Sequence, residues 1–172
     1  GSFADSAFEL PTGQTFSDVS GSDSVHITPV ERGGAAPAQW IDMEVQINPT
    51  ANQAPAGSWT QSPSGTLQPY TQLTFAVAAS DPNGDELAYH WDVGDGSEVS
   101  VNRPNLVHTY TTSGLFQVSV VVSDMKGGTF TLTTTVDVNA EIGAWSQRVS
   151  GTTAEFQDGT ASWQRVVAVN TA

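Results

Sequence analysis

The sequence predicts an all-β protein, and three observations carry that expectation. Short segments alternate apolar and polar residues with a period of two, as a strand with one buried face requires. Clusters of Gly, Pro, Asn, Asp and Ser separate these segments, supplying the backbone freedom that strand reversals need. The chain of 172 residues is also low in charge, at 13%, and rich in Thr and Val, which suit pleated surfaces better than helices. No stretch carries a helical period over a useful length.

The alternation is clearest between residues 52 and 139. A first strand lies near Gly57–Gln61. Leu73, Phe75, Val77 and Ala79 then form a stripe, followed by the turn Asp81-Pro82-Asn83-Gly84-Asp85. Leu87, Tyr89, Trp91 and Val93 form the next, ended by Gly94-Asp95-Gly96-Ser97. Leu106, His108 and Tyr110 follow, then Phe116, Val118, Val120 and Val122 before the turn at Asp124–Gly128. Phe130, Leu132, Val136 and Val138 close the series. Strands at this spacing predict a two-sheet sandwich of about 90 residues.

Two β segments flank it. In residues 1–51, Val25 and Ile27 alternate with polar neighbours, and Ile41, Met43, Val45 and Ile47 make a period-2 stripe opposite Asp42, Glu44 and Gln46. That stripe predicts a half-buried strand with its apolar side inward. Asn48 to Gly57 reads as a linker. Residues 140–172, with Trp145, then Ser150-Gly151-Thr152-Thr153, then Val166 to Val169, read as two strands, too few to fold alone. The segment is expected to be a short β piece or the start of a downstream domain, and residues 1–51 the tail of an upstream one. The opening Gly1-Ser2 and the lack of a leader are expected of a segment cut from a larger protein.

Charge narrows the partners. Eighteen acidic residues against five basic ones give a formal net charge of −13, a surface that repels phosphate backbones and anionic lipid. Neither nucleic acid nor membrane insertion is therefore expected, and no apolar run is long enough to cross a bilayer. The absence of cysteine excludes disulfides, thiolate–metal sites and thiol nucleophiles.

The ordered motifs Trp91-Asp92-Val93-Gly94-Asp95-Gly96-Ser97, His108-Thr109-Tyr110, Ser113-Gly114-Leu115-Phe116-Gln117-Val118 and Val122-Ser123-Asp124 resemble the signature of the polycystic-kidney-disease (PKD) domain. Val93 and Phe116 replace a usual Phe and Tyr, and both keep an apolar side chain inward. The resemblance implies an immunoglobulin-like β-sandwich that spaces other domains or presents a face to a polymer. It also implies a bacterial protein that is secreted or held at the cell surface. The leading motifs Thr12–Asp18, His26-Ile27-Thr28-Pro29 and Trp40–Val45 are similar to a β appendage of secreted gametolysin-like metallopeptidases.

No catalytic constellation is legible. The three histidines His26, His90 and His108 lack the spacing of a zinc helix, no Gly-x-Ser-x-Gly elbow occurs, and the carboxylates sit in turns without a basic partner. His108 is expected to pack beside Tyr110, and His90, alternating away from Trp91, to be exposed. The chain is accordingly expected not to be an enzyme, whatever hydrolase it belongs to. The stretch from Asp81 to Asp92 is not an EF-hand, because Glu86 stands where that loop needs Gly and no helices flank it.

A different calcium site is expected. Strand alternation brings the start of the sandwich, the loop after its second strand and the loop before its last to one pole. Asn52, Asp81, Asp85 and Asp124 then converge, offering the oxygens that calcium prefers; some PKD domains look similar there and bind calcium. The same residues also serve as turn formers and a strand terminator. Trp40 and Trp59 are the expected stacking platforms for a protein or polysaccharide polymer. The alternative role is that of a calcium-stiffened cell-surface adhesion module.

Overall fold

The computed structural model describes residues 10–139 and the strands at 146–150, 153–158 and 161–168. Every regular element among the described residues is a β-strand. Two compact units divide the chain, residues 1–138 and 139–172.

The first unit contains the sandwich. One sheet joins β4 (Ala56–Ser62), β5 (Gln72–Ser80) and β7 (Asn105–Thr109); the other joins β6 (Ala88–Asp92), β8 (Gly114–Ser123) and β9 (Thr129–Val138). All strand pairs in both sheets are antiparallel. The alternating stripes fill the space between the sheets: Leu73 and Phe75 from β5, Trp91 from β6, Val118, Val120 and Val122 from β8, and Val136 from β9 are all buried. Trp91 sits at the centre, stacked at 6.1 Å from Trp59 and tilted at 6.0 Å from Phe75. Its indole N–H donates to the carbonyl of Arg103 at 2.9 Å, so the ring is buried without an orphaned donor. Tyr110 is fixed similarly, its hydroxyl donating to Val93 at 2.8 Å while its ring stacks on Phe116 at 4.2 Å.

The leading residues form a three-stranded antiparallel sheet of β1 (Phe16–Ser20), β2 (Asp23–Gly33) and β3 (Trp40–Ile47), with β2 in the middle. The alternation of β3 is as expected, but its direction is reversed. Ile41, Met43, Val45 and Ile47 are between 48% and 68% exposed, while Glu44 and Gln46 on the other face are half-buried.

The sheet lays its polar face on the sandwich instead. Thr28 and His26 are buried there. The Thr15 hydroxyl bonds Thr28 Oγ1 at 2.8 Å and Ser123 Oγ of β8 at 2.6 Å. Asn102 links the two bodies, donating to the Val30 carbonyl at 3.1 Å and accepting from the Tyr89 amide at 2.7 Å. Hydroxyls and amides satisfied in this way bury without a large desolvation penalty.

The second unit has three strands, β10 (Ser146–Ser150), β11 (Thr153–Asp158) and β12 (Ala161–Ala168), in an antiparallel meander. The sequence reading found two. It missed β11, whose Ala and Gln positions give a weak apolar stripe. Trp145 and Val169 lie outside the described residues.

Candidate functional site

Of the four expected calcium ligands, two pairs are in contact: Asn52 with Asp124, and Asp81 with the Asp85 amide. Asp81 follows β5 and shapes a tight turn, its Oδ1 accepting from the amides of Asn83 at 2.7 Å and Asp85 at 3.3 Å. Asp124 follows β8, and its Oδ1 accepts from the amides of Lys126 at 2.7 Å and Gly128 at 2.9 Å. Asn52 reaches across from the strand entry, its Nδ2 donating to Asp124 Oδ2 at 2.8 Å and to the Lys126 carbonyl at 3.2 Å. Asp124 is only 1% exposed, and these donors stabilise its buried carboxylate. Gly128 is obligatory here, because a Cβ would fall 2.1 Å from Asp124 Oδ2 and 2.7 Å from the Cα of Ala54.

A lysine joins the cluster. The Lys126 ammonium pairs with Asp85 Oδ1 at 2.6 Å. That hydrogen bond raises the Lys126 pKa, and the charges of Asp85, Asp124 and Asp81 add to it against the opposing effect of burial. Among the described residues no three carboxylate or imidazole side chains are grouped closely enough to cage an ion. Asn52 Oδ1 and Asp81 Oδ2 are nevertheless buried without a hydrogen-bond donor. The donor set is all oxygen, which matches a hard cation.

Sequence reasoning missed two members of this pole. Lys126 is the second residue after Asp124, in the β8–β9 turn, where a lone base beside acids was the available signal. Asn83 stitches the turn to the entry segment, its Oδ1 accepting from the Gln53 amide at 2.8 Å and its Nδ2 donating to the Ala51 carbonyl at 3.2 Å. Its place inside a turn motif concealed that role.

The two expected stacking platforms differ. Trp40 is half exposed and lies over Gly33, where any side chain would collide with the indole. It borders an open cleft of about 740 Å³ that also includes Leu10, Pro29, Ile41 and Met43. Trp59 is only partly buried, but its ring stacks on Phe75 at 5.6 Å and on Trp91. It is a lid on the core, and core packing accounts for it.

The histidines are structural. His108 meets Tyr110 edge-on at 4.6 Å and bonds Asp95 Oδ2 at 2.8 Å. Partial burial pushes the Asp95 carboxyl up, but hydrogen bonds from Ser97 and the His108 contact outweigh it and hold the carboxyl below its ordinary value. His90 is less exposed than expected, with a buried Nδ1, because the leading segment covers it; Gly13 packs against the Tyr89 carbonyl and His90 amide. His26 bonds Ser17 Oγ at 2.8 Å and lies on Gly127, which has no room for a Cβ.

This sandwich, with Trp91 at its centre and the Gly94-Asp95-Gly96 turn holding His108, corresponds to a known pattern: the PKD domain matches residues 52–140. The chain belongs to the PKD domain family. A microbial collagenase from Vibrio alginolyticus is 32% identical over an alignment of 116 positions, covering 59% of this chain. The chain spans only 14% of that collagenase's length. Among solved structures, the PKD1 domain of Vibrio anguillarum Epp is 30% identical with a TM-score of 0.42, covering 52% of this chain and 98% of that one. A structure from work on the promiscuous specificity of carbohydrate-binding modules of the β-sandwich superfamily is also 30% identical, with a TM-score of 0.47, covering 54% of this chain and 37% of its own. PKD domains are generally non-catalytic modules. The signature residues of this one serve its fold: Trp91 the core, Gly94 a close approach to Gln117, Asp95 and His108 a mutual pair. No helix among the described residues is long and apolar enough to cross a membrane.

Proposed function

We propose that this chain is a non-catalytic spacer and interaction module of a larger bacterial hydrolase that is secreted or held at the cell surface, and that it helps hold a polymeric substrate. The PKD match over residues 52–140 carries this reading. The likeness to a short part of a microbial collagenase supports a fibrous protein as the polymer. Cosedimentation with insoluble collagen fibres tests the binding, with crystalline cellulose as the competing polymer. Retention on collagen is the expected result. Retention on cellulose alone would move the reading to polysaccharide, and retention on neither would remove polymer binding. Gelatin hydrolysis by the purified chain, lost on substitution of one of its own carboxylates, would overturn the non-catalytic assignment.

The pole supports a second element, calcium binding by Asn52, Asp81, Asp85 and Asp124. The buried, donor-free Asn52 Oδ1 and Asp81 Oδ2 favour it. A divalent cation would take over the charge neutralisation that the Lys126 ammonium supplies, so the lysine has to release Asp85. Such an ion stiffens the join between the leading residues and the sandwich, because Asn52 stands at that join. Thermal melting in calcium against chelator is the test. A ligand that binds only the folded state at a hundredfold excess over Kd adds about 2.7 kcal/mol, so a clear rise is expected in the wild type and its loss in Asp81→Asn. An unchanged wild-type melting temperature would leave the pole as a lysine-centred staple.

A further inference from the structure

Trp40 opens β3 and pairs with Gly33 at the end of β2. The hairpin between them is fixed by its backbone. The Ala38 amide donates to the Ala35 carbonyl at 2.7 Å, and a Cβ on Gly34, where φ is +81°, would fall 2.2 Å from the Ala38 carbonyl oxygen. The indole of Trp40 lies over Gly33, where a Cβ would fall 2.6 Å from Cζ2 and 2.9 Å from Cε2. Glycine at this position lets the ring rest on the backbone. The ring is held there without being covered, since Trp40 is 50% exposed. Ile41 and Met43, both about half exposed, border the same cleft, so the indole belongs to a contiguous apolar patch. Core packing accounts for Trp59 and does not account for Trp40.

The charge of the cleft narrows its partner. The chain has a net charge of −13, yet among the described residues no carboxylate lines the cleft, and its long polar side chains are Arg32 and Gln39. Arg32 is aimed by its Nε, which donates to Thr12 Oγ1 at 3.1 Å. Its Nη1 lies 3.6 Å from the exposed Glu98 carboxylate, a contact that solvent screens. The terminal nitrogens of the guanidinium therefore stay able to donate to a carbonyl.

A flat aromatic ring, apolar walls and a donor with few acceptors beside it suit a chain rich in ring faces and carbonyl oxygens and poor in N–H and O–H groups. A proline-rich chain in the polyproline II conformation has that chemistry: proline lacks the N–H, and the backbone carbonyls make no internal hydrogen bonds. Segments of this kind dock on aromatic-lined grooves. A saccharide instead brings hydroxyl donors that need acceptors, and among the described lining residues the Gln39 amide oxygen is the only side-chain acceptor.

We propose that the Trp40 cleft binds a proline-rich extended chain, with a proline ring on the indole, its apolar flank against Met43 and a carbonyl at Arg32. The assignment rests on the fibrous-protein reading given above and adds a contact residue to it, on the leading sheet and outside the sandwich.

The protein contains two methionines, which makes the test direct. Met43 lines the cleft, and Met125 is buried in the β8–β9 turn. The full chain, labelled with ¹³C-methyl methionine, is titrated with oligoproline and separately with cellobiose. Oligoproline is expected to move the Met43 signal and leave Met125 in place. Trp40→Ala is expected to weaken the response at least about tenfold, as loss of an aromatic anchor does, and Trp40→Phe, which keeps a flat ring over Gly33, to retain most of it. An unaltered Met125 signal certifies that the variants are folded. A Met43 signal that oligoproline leaves unmoved would overturn the proposal, as would equal affinity in wild type and Trp40→Ala, or a response to cellobiose alone. The collagen cosedimentation separates this result from the broader reading. Retention on collagen with Met43 unmoved by oligoproline strikes the cleft and leaves polymer binding standing, whereas no retention with Met43 still responding strikes fibre binding and keeps the cleft as a peptide site.

Discussion

The sandwich and the leading sheet use the same period-2 alternation in opposite senses. In β8, Val118, Val120 and Val122 point into the core and are fully buried. In β3, Met43, Val45 and Ile47 point away, and the sheet meets the sandwich through Thr15, Thr28 and His26. Periodicity specifies which residues share a face, since side chains alternate across a strand. It does not specify which face meets the rest of the molecule. That choice depends on the partner surface, here the Ser123 and Asn102 side of the sandwich, whose polar groups need polar partners.

The contrast can be broken most forcefully at the sandwich centre. Trp91→Ala removes the ring that Trp59 and Phe75 pack against, and about 3–5 kcal/mol of stability is expected to go with it. Chemical denaturation measures this directly, and an unchanged midpoint would refute the central role of that ring.

The polar interface is the next target. Thr15→Val keeps the shape but removes both hydroxyl bonds, to Thr28 and Ser123. With those buried hydroxyls left short of a partner, a loss of about 1–3 kcal/mol is expected. Hydrogen exchange should place the loss in β1 and β2 first.

Acid titration sharpens the sandwich side further. The Asp95 carboxyl is held below its ordinary value, so its ionised form contributes stability above the unfolded carboxylate range, near about pH 4. That contribution fades as pH falls through the depressed folded value. Asp95→Asn is expected to flatten this part of the acid limb in a melting-temperature profile, while leaving the profile above pH 6, about two units higher, parallel to wild type.

The smallest effect belongs to the exposed stripe. Val45→Thr is expected to change stability by no more than about 0.5 kcal/mol, as surface replacements usually do. The same replacement at Val120, in the core, buries an unsatisfied hydroxyl and is expected to cost about 1–3 kcal/mol. Equal effects at the two sites would erase the distinction between the stripes.

Much of the sandwich was legible because its motif residues have one structural solution each. Trp91 can fill only a core, and Gly94 with its positive φ and its close approach to Gln117 can only be glycine. The meeting of Asn52 with Asp124 was legible too, since antiparallel strands return loops to the same pole. Lys126 was not, because the reach of a flexible side chain is set in three dimensions and leaves no spacing rule. The packing of Trp59 on Phe75 and Trp91 was not legible for a related reason: on an edge strand, its Gly and Ser neighbours gave no stripe from which to infer its facing. The reversed face of β3 and the covering of His90 both depend on docking between segments, which local pattern does not encode.

The ammonium of Lys126 has one more consequence. It is the only lysine in the chain, so apart from the chain's own α-amino group every amine-directed reagent has a single target. Coupling to an activated ester would attach a dye, a bead or a surface at the carboxylate pole and nowhere else on the described body. The rate of that coupling becomes a gauge of the pole itself: slow while Asp85 holds the amine protonated, faster once anything frees it.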